Sequence, residues 1–550
     1  MALCLQGCTD WDDHYAPGAE GGASASLWEN ISAREDLSDF ASILKKTGYS
    51  EVLSTDQTFT VWAPVNSALD DKMDSLNNVQ DSLLLMEFVK NHVARNNYGA
   101  SGAVDKQVRM VNGKVLDFAG SGENYTFSGV PLQDINQIGK NGVFYTAKSL
   151  IPFHANLYEY LDKGDGLDSI AKYYHRYDKT VLDKTASVAG PVVNGEVTYL
   201  DEVYNKTNTL YDNLDAYINA EDSSYSMLLP TNTAWVKAKD DISKYFHYAP
   251  KYYYEQLRTV SSDTTIIADK IPTDSLNKLY TEQALVSNLV YSNNTYANGI
   301  LQTAQSGIDS LVSTTRSVMR GSDADALFAG TRRVNMSNGY GFVTNELNFK
   351  PWRAWAPLIR LQGENVGYLG KVTGESSSTR VSVNSSNRNP KVEGSLSGNA
   401  FYEVITATKR STPEVYYYLP NVLSTTYNLY GVFVPNNMVD TTATVEDYTV
   451  RATVRFYMSG TTVSQTVGAS SKVSFQVGDQ PLTDVAKVDT VYLGEFKFDN
   501  AYMGLGDQNI YPTLKIAGSR GKNLNIDCFL LVPKELDDYR KAHPGYRWDD

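Results

Sequence analysis

Two hydrophobic periods divide the chain. Up to Pro351, apolar residues return at helical spacing in short segments, as in Leu37, Phe40, Ala41 and Leu44, which predicts helices that bury one face. Apolar strand-like runs such as Phe59-Thr60-Val61-Trp62 lie between them. After Pro351 the helical period disappears and alternation takes over. Between Tyr448 and Met458, Val450, Ala452, Val454 and Phe456 share one face while Arg451, Thr453 and Arg455 share the other, as in a half-buried antiparallel strand. Similar runs occur at Leu429 to Val434, Val473 to Val477, Val491 to Phe498 and Ile526 to Val532, separated by Gly, Asn, Asp and Pro. Strands of this kind hide their inner faces by pairing two sheets, so a β-sandwich or jelly roll is expected over residues 352–550. The fold class read from these patterns is α+β, with an all-β end.

The first part of the chain repeats itself. Leu27-Trp28-Glu29-Asn30-Ile31 is matched by Leu157-Tyr158-Glu159-Tyr160-Leu161, and Leu37-Ser38-Asp39-Phe40-Ala41 by Leu167-Asp168-Ser169-Ile170-Ala171, both 130 residues later. Phe59-Thr60-Val61-Trp62-Ala63-Pro64-Val65-Asn66 finds its partner in Tyr225-Ser226-Met227-Leu228-Leu229-Pro230-Thr231-Asn232, 166 residues on, so about 36 residues have been added, a length that a surface loop tolerates cheaply. Glu87 to Val93 and Ala284 to Val290, like Asn141-Gly142 and Asn338-Gly339, are offset by 197. Five segments repeated in one order define two copies of one domain. Pro64 keeps the preceding residue extended and Asn66 is placed to cap a helix, so strand should turn sharply into helix. The Asn-Gly pairs supply the positive φ of tight turns.

These segments resemble the fasciclin family. Its first box is similar to Thr58 through Ala68; its second resembles Asn91-His92-Val93, followed by the Asn112-Gly113-Lys114 turn and the closing strand from Asn141-Gly142-Val143-Phe144-Tyr145 to Pro152. The resemblance implies two tandem fasciclin-like domains, residues 27–153 and 154–351, the second with insertions. In that second copy Asn288-Leu289-Val290 replaces the box histidine. The resemblance further implies an extracellular module that binds proteins or glycans.

Composition narrows the surroundings. A net charge of −14 without a basic stripe argues against a nucleic-acid partner. Cys4, Cys8 and Cys528 are the only cysteines, so no disulfide framework or thiolate metal site is expected, and Cys528 reads as a small core residue in an apolar run. Leu5-Gln6-Gly7-Cys8 resembles a bacterial lipobox, which implies lipidation at Cys8, and Thr9-Asp10-Trp11-Asp12-Asp13 is similar to the surface-export signal of Bacteroidota-type lipoproteins. Only seven residues precede Cys8, which suggests that an upstream part of the signal peptide is missing. The Gly/Ala/Ser run from Ala16 to Ser26 then reads as a tether. Residues 1–26 are thus expected to be a signal remnant, lipobox and tether that hold the body to the outer face of the outer membrane.

No catalytic residue, metal ligand set or cofactor motif stands out. The six histidines lack metal-ligand spacing, and His92 on an apolar helix reads as a packing residue. Aromatic side chains offer the better handle, because their faces stack on sugar rings and anchor interfaces. Trp352 and Trp355 flank the entry to the last domain, and Tyr416, Tyr417 and Tyr418 form a second cluster in which neighbours must face opposite ways. Trp352 and Trp355 can equally serve as apolar plugs at a domain junction. The weak likeness of Leu530-Leu531-Val532-Pro533 to the last strand of carbohydrate-binding modules points the same way as the aromatics. The expected function is a lipid-anchored surface protein that binds an extracellular glycan beside a TonB-dependent transporter, as in starch-utilisation systems. Adhesion to a host or neighbouring-cell protein is the alternative, and a glycoside hydrolase with unrecognised carboxylates is the third reading.

Overall fold

A computed structural model describes residues 24–248, 273–293, 310–445, 449–457, 472–476, 480–481, 486–505 and 511–546. Cys8, the acidic residues after it and most of the tether lie outside them. Two units are separable by their contacts: Met1–Met227 with Asn293–Ala297 and Arg333–Gly341, and Leu228–Ser292 with Asn298–Arg332 and Phe342–Asp550.

In the first unit, helix Leu27–Ser32 opens on a capping box: Ser26 accepts from the Glu29 amide and Glu29 reaches back to the Ser26 amide. Such a cap is worth about 1 kcal/mol. Helix Ser38–Lys46 buries Phe40, Ala41, Ile43 and Leu44, the stripe that the sequence period predicts. They pack on the sheet containing strand Phe59–Pro64, which pairs antiparallel with Val93–Arg95 and parallel with Gly142–Ala147. The other side of that sheet meets the meander Val104–Arg109, Val115–Ser121, Asn124–Phe127 and Val130–Pro131. Trp62 fills this second core, fully buried and stacked on Phe127 at 3.8 Å between ring centres.

Several hydrogen bonds recur at positions paired in the sequence. Phe59, Trp62 and Val65 donate their amides to the carbonyls of Asn141, His92 and Ala147; Tyr225, Leu228 and Thr231 donate theirs to Asn338, Leu289 and Thr344. Asn141 accepts from the Leu27 amide and donates to the Leu53 and Thr55 carbonyls. Asn338 does the same for Leu157, Ile218 and Ala220. Gly142 and Gly339 follow with φ of 144° and 132°, and a Cβ at either would stand 1.9 Å from the carbonyl oxygen of Phe59 or Tyr225. Two requirements, a positive φ and no side-chain volume, therefore fix glycine at both places.

Two local expectations need correction. Asn66 does not cap its own helix. It accepts from the Asp39 amide at 3.1 Å and donates to the Glu35 carbonyl and the Ser38 hydroxyl, tying down the start of the neighbouring helix, because Val65 rather than Asn66 occupies the N-cap position. The added residues of the second copy are not a plain loop. They form two antiparallel ribbons, Asp178–Leu182 with Tyr204–Asn208 and Val188–Val193 with Glu196–Asp201, and Val188 joins the core built by residues 27–150.

Beyond Pro351 two antiparallel sheets dominate. One has the order Glu375–Ser382, Phe401–Ala407, Leu524–Pro533, Thr426–Phe433, Asp489–Lys497; the other runs Leu369–Thr373, Glu414–Tyr418, Thr513–Ala517, Thr449–Tyr457, Lys472–Gln476. Strand Leu524–Pro533 is buried along its whole length, as a central strand covered on both faces should be. Strands alone were expected here, yet helix Lys534–Ala542 follows it, burying Leu536 and Asp537. Pro533 cannot continue a ladder with an amide, and it delivers the chain into that helix.

Candidate functional site

The aromatic residues singled out in the sequence fall into different surroundings. Tyr416, Tyr417 and Tyr418 lie on strand Glu414–Tyr418 and alternate in burial. Tyr417 is fully buried, packs on Phe529 and donates to the Gly363 carbonyl at 3.2 Å, so its ring presents no surface to a ligand. Tyr416 and Tyr418 are half-buried on the other face; the Tyr416 hydroxyl donates to Glu414 at 3.2 Å. Trp352 is half-buried beside Tyr539 and donates from Nε1 to the Tyr546 hydroxyl at 2.9 Å. The same hydroxyl accepts from Arg353 and donates to Asp323, so Trp352 belongs to a lock on the C-terminal segment.

Trp355 stands apart from the other four. Just after the short 3₁₀ turn Pro351–Arg353, it lines a cleft of about 320 Å³ together with Tyr245, Phe349, Asp241, Lys244 and Glu535. Tyr245 and Phe349 approach its ring edge-on at 6.3 Å each, the geometry favoured by ring quadrupoles. The Tyr245 hydroxyl donates to Glu535 at 2.7 Å. Burial, then the Glu535 carboxylate, holds that hydroxyl well above the ordinary tyrosine range, so it stays a donor at any physiological pH. Ser424 and Thr425 complete one wall. The cleft combines an aromatic platform with a carboxylate, an ammonium and hydroxyls, a set that can stack on a ring and exchange hydrogen bonds with its substituents. None of Trp352, Tyr416, Tyr417 or Tyr418 lines it. Tyr245 and Glu535 carry no local signature and are distant from Trp355 in sequence, so no sequence pattern could have joined them.

His92 holds a structural position. His92 is completely buried; its Nδ1 lies 2.8 Å from the Phe88 carbonyl and its Nε2 accepts from the Ile151 amide. Burial pushes its pKa down to about 4, so it is neutral and serves packing. Cys528 is buried in its strand, and burial pushes the thiol up to about 12, removing the thiolate a nucleophile needs. Among the described residues, no three of His, Cys, Asp and Glu converge on a point that could hold a metal ion, and no described helix is long and apolar enough to cross a membrane.

Residues 35–152 are a fasciclin domain, by their match to the family of that description. Fasciclin domains are generally cell-adhesion or surface-associated modules. Among solved structures, the chain is similar to the FAS1 domain pair of the insect cell adhesion molecule fasciclin I, at 13% identity over 59% of this chain and 99% of that one, with a TM-score of 0.21. No curated protein matches.

Proposed function

We propose that the chain is a non-catalytic protein of the outer bacterial surface that binds an extracellular glycan. In this reading Cys8 carries the lipid anchor, a second fasciclin-like domain (154–351) and a β-sandwich domain (352–550) follow the fasciclin domain, and the body works beside a TonB-dependent transporter complex. The cleft at Trp355 carries the glycan reading, because there an aromatic ring stands beside Asp241, Lys244, Ser424 and Glu535 in one concave site. The recurrence of hydrogen bonds and positive φ at Asn141-Gly142 and Asn338-Gly339 supports the second domain.

Affinity electrophoresis of the full chain against a panel of polysaccharides tests the reading. Retardation that Trp355→Ala abolishes supports it. Release of oligosaccharide from the gel would make the protein a hydrolase instead. Protease shaving of intact cells should remove the body, and mass spectrometry of the membrane fraction should find Cys8 acylated.

Adhesion to a protein is the second reading. It is favoured by ribbon Val188–Val193 with Glu196–Asp201, where Val192, Val193 and Val197 are half or more exposed.

A further inference from the structure

The larger described cleft lies in the first unit, about 660 Å³ in volume, a size within the usual range of small-molecule sites. Folding alone assembles it. Arg109 comes from the meander, Tyr204 and Lys206 from an inserted ribbon, and Tyr158, Glu159 and Glu221 from the helix and loop of the second repeat.

Beside it sits Lys114, whose side chain is 2% exposed. Its ammonium donates to Glu159 Oε2 and Glu221 Oε1, both at 2.6 Å, and to the Ser337 hydroxyl at 3.2 Å. Those two carboxylate oxygens are also held by Asn156, through its amide to Glu159 and its side chain to Glu221, each at 2.9 Å. One ammonium thus faces two carboxylates, leaving a unit of negative charge on rigid acceptors. Arg109 and Lys206 bring positive charge to the same cleft while Asp178, Glu202 and Asp222 add further carboxylates, so groups of both signs line it. A phosphate would meet the carboxylates and a polyamine would meet Arg109 and Lys206, so both are disfavoured.

A neutral polyhydroxylated ligand suits every part. Vicinal hydroxyls donate to a carboxylate, ring and hydroxyl oxygens accept from Arg109 and Lys206, and C–H faces lie on Tyr158 and Tyr204. We infer that this cleft is a binding site for a neutral oligosaccharide, separate from the one at Trp355. The inference rests on the glycan reading above and adds a second location to it.

Hydrogen-exchange mass spectrometry of the full chain, with maltoheptaose, cellohexaose, mannohexaose and xylohexaose as probes, tests it. At least one probe should protect peptides covering residues 109–114 and 202–222, and Trp355→Ala should leave that protection intact. Tyr204→Ala should weaken binding roughly tenfold or more; the ring is 46% exposed and its hydroxyl donates to Glu202. Lys206→Gln is a second variant if the first alters the melting curve. Protection confined to the walls around Trp355 overturns this site and leaves the proposed function standing. Binding of no probe overturns both. Protection by inorganic phosphate in place of the sugars overturns the ligand class.

Discussion

Lys90 donates to Asp201 at 2.5 Å with both side chains withdrawn from water, 6% and 2% exposed. The two residues stand 111 positions apart: one precedes the second fasciclin box, the other ends the inserted ribbon. Tyr49 also donates to Asp201, and Arg95 lies 3.8 Å from it. The insertion therefore reaches back across the repeat and seals the first domain with a buried charge.

Removing one partner of a buried pair leaves the other charge unsatisfied. Asp201→Ala should lower stability by about 3–5 kcal/mol, whereas the double change Lys90→Met with Asp201→Leu should recover most of the loss. Urea denaturation followed by tryptophan fluorescence reads both. Equal losses in the single and double variants would show that packing, rather than the charge, sustains the contact.

The two Asn-Gly turns make a paired test. Gly142→Ala and Gly339→Ala each place a methyl group against a backbone oxygen at positive φ, and the backbone conformation alone should cost about 1–3 kcal/mol at each site. Thermal melts should show a loss for both. A neutral result at Gly339 would break the equivalence of the repeats.

His175 should make stability depend on pH. Its Nε2 lies 2.7 Å from Asp162, and its Nδ1 2.9 Å from Asp178 and 2.8 Å from the Tyr158 hydroxyl. Burial opposes its charge, but the bonds to Asp162 and then Asp178 outweigh that, and its pKa rises. A raised pKa means that stabilisation is complete below the ordinary histidine value and lost as pH climbs through the folded one. The deficit of His175→Ala relative to the parent should therefore be larger at about pH 5.5 than at about pH 8.5. A deficit independent of pH would assign the side chain a packing role only.

Glu403 presents the opposite case. It is 2% exposed, with Oε2 lacking a hydrogen bond, and burial raises its pKa against the pull of Ser378 and Arg380. Its proton-bound form is thus favoured on folding, and that stabilisation is lost as pH rises through the raised value. Glu403→Gln should be more stable than the parent at about pH 7.5, with the gain shrinking towards about pH 4.5. Denaturant midpoints across that range decide it, and a loss at neutral pH would show that the charge is needed.

What could be read beforehand was what the chain encodes locally. The stripe Phe40, Ala41, Leu44 and the strands around Val450 and Val491 follow from periodicity, since one buried face imposes a fixed spacing. The Asn-Gly turns follow from backbone sterics. Asn66 escaped because a cap is recognised by its own helix, while this side chain serves another. The placing of Trp355 apart from Tyr417 escaped because aromatic residues read alike in sequence whether they pack inward or line a cleft.

By itself, then, the sequence determined the repeat, the boundary in texture near Pro351 and the segments that resemble the fasciclin family, because each is written in neighbouring residues. Only the tertiary structure decided that an insertion clasps the first domain through Asp201, that Tyr245 and Glu535 complete the surroundings of Trp355, and that Lys114 is shared between Glu159 and Glu221. Those contacts join residues whose separation along the chain carries no periodic signal, and their strength comes from burial that exists only once the chain has folded.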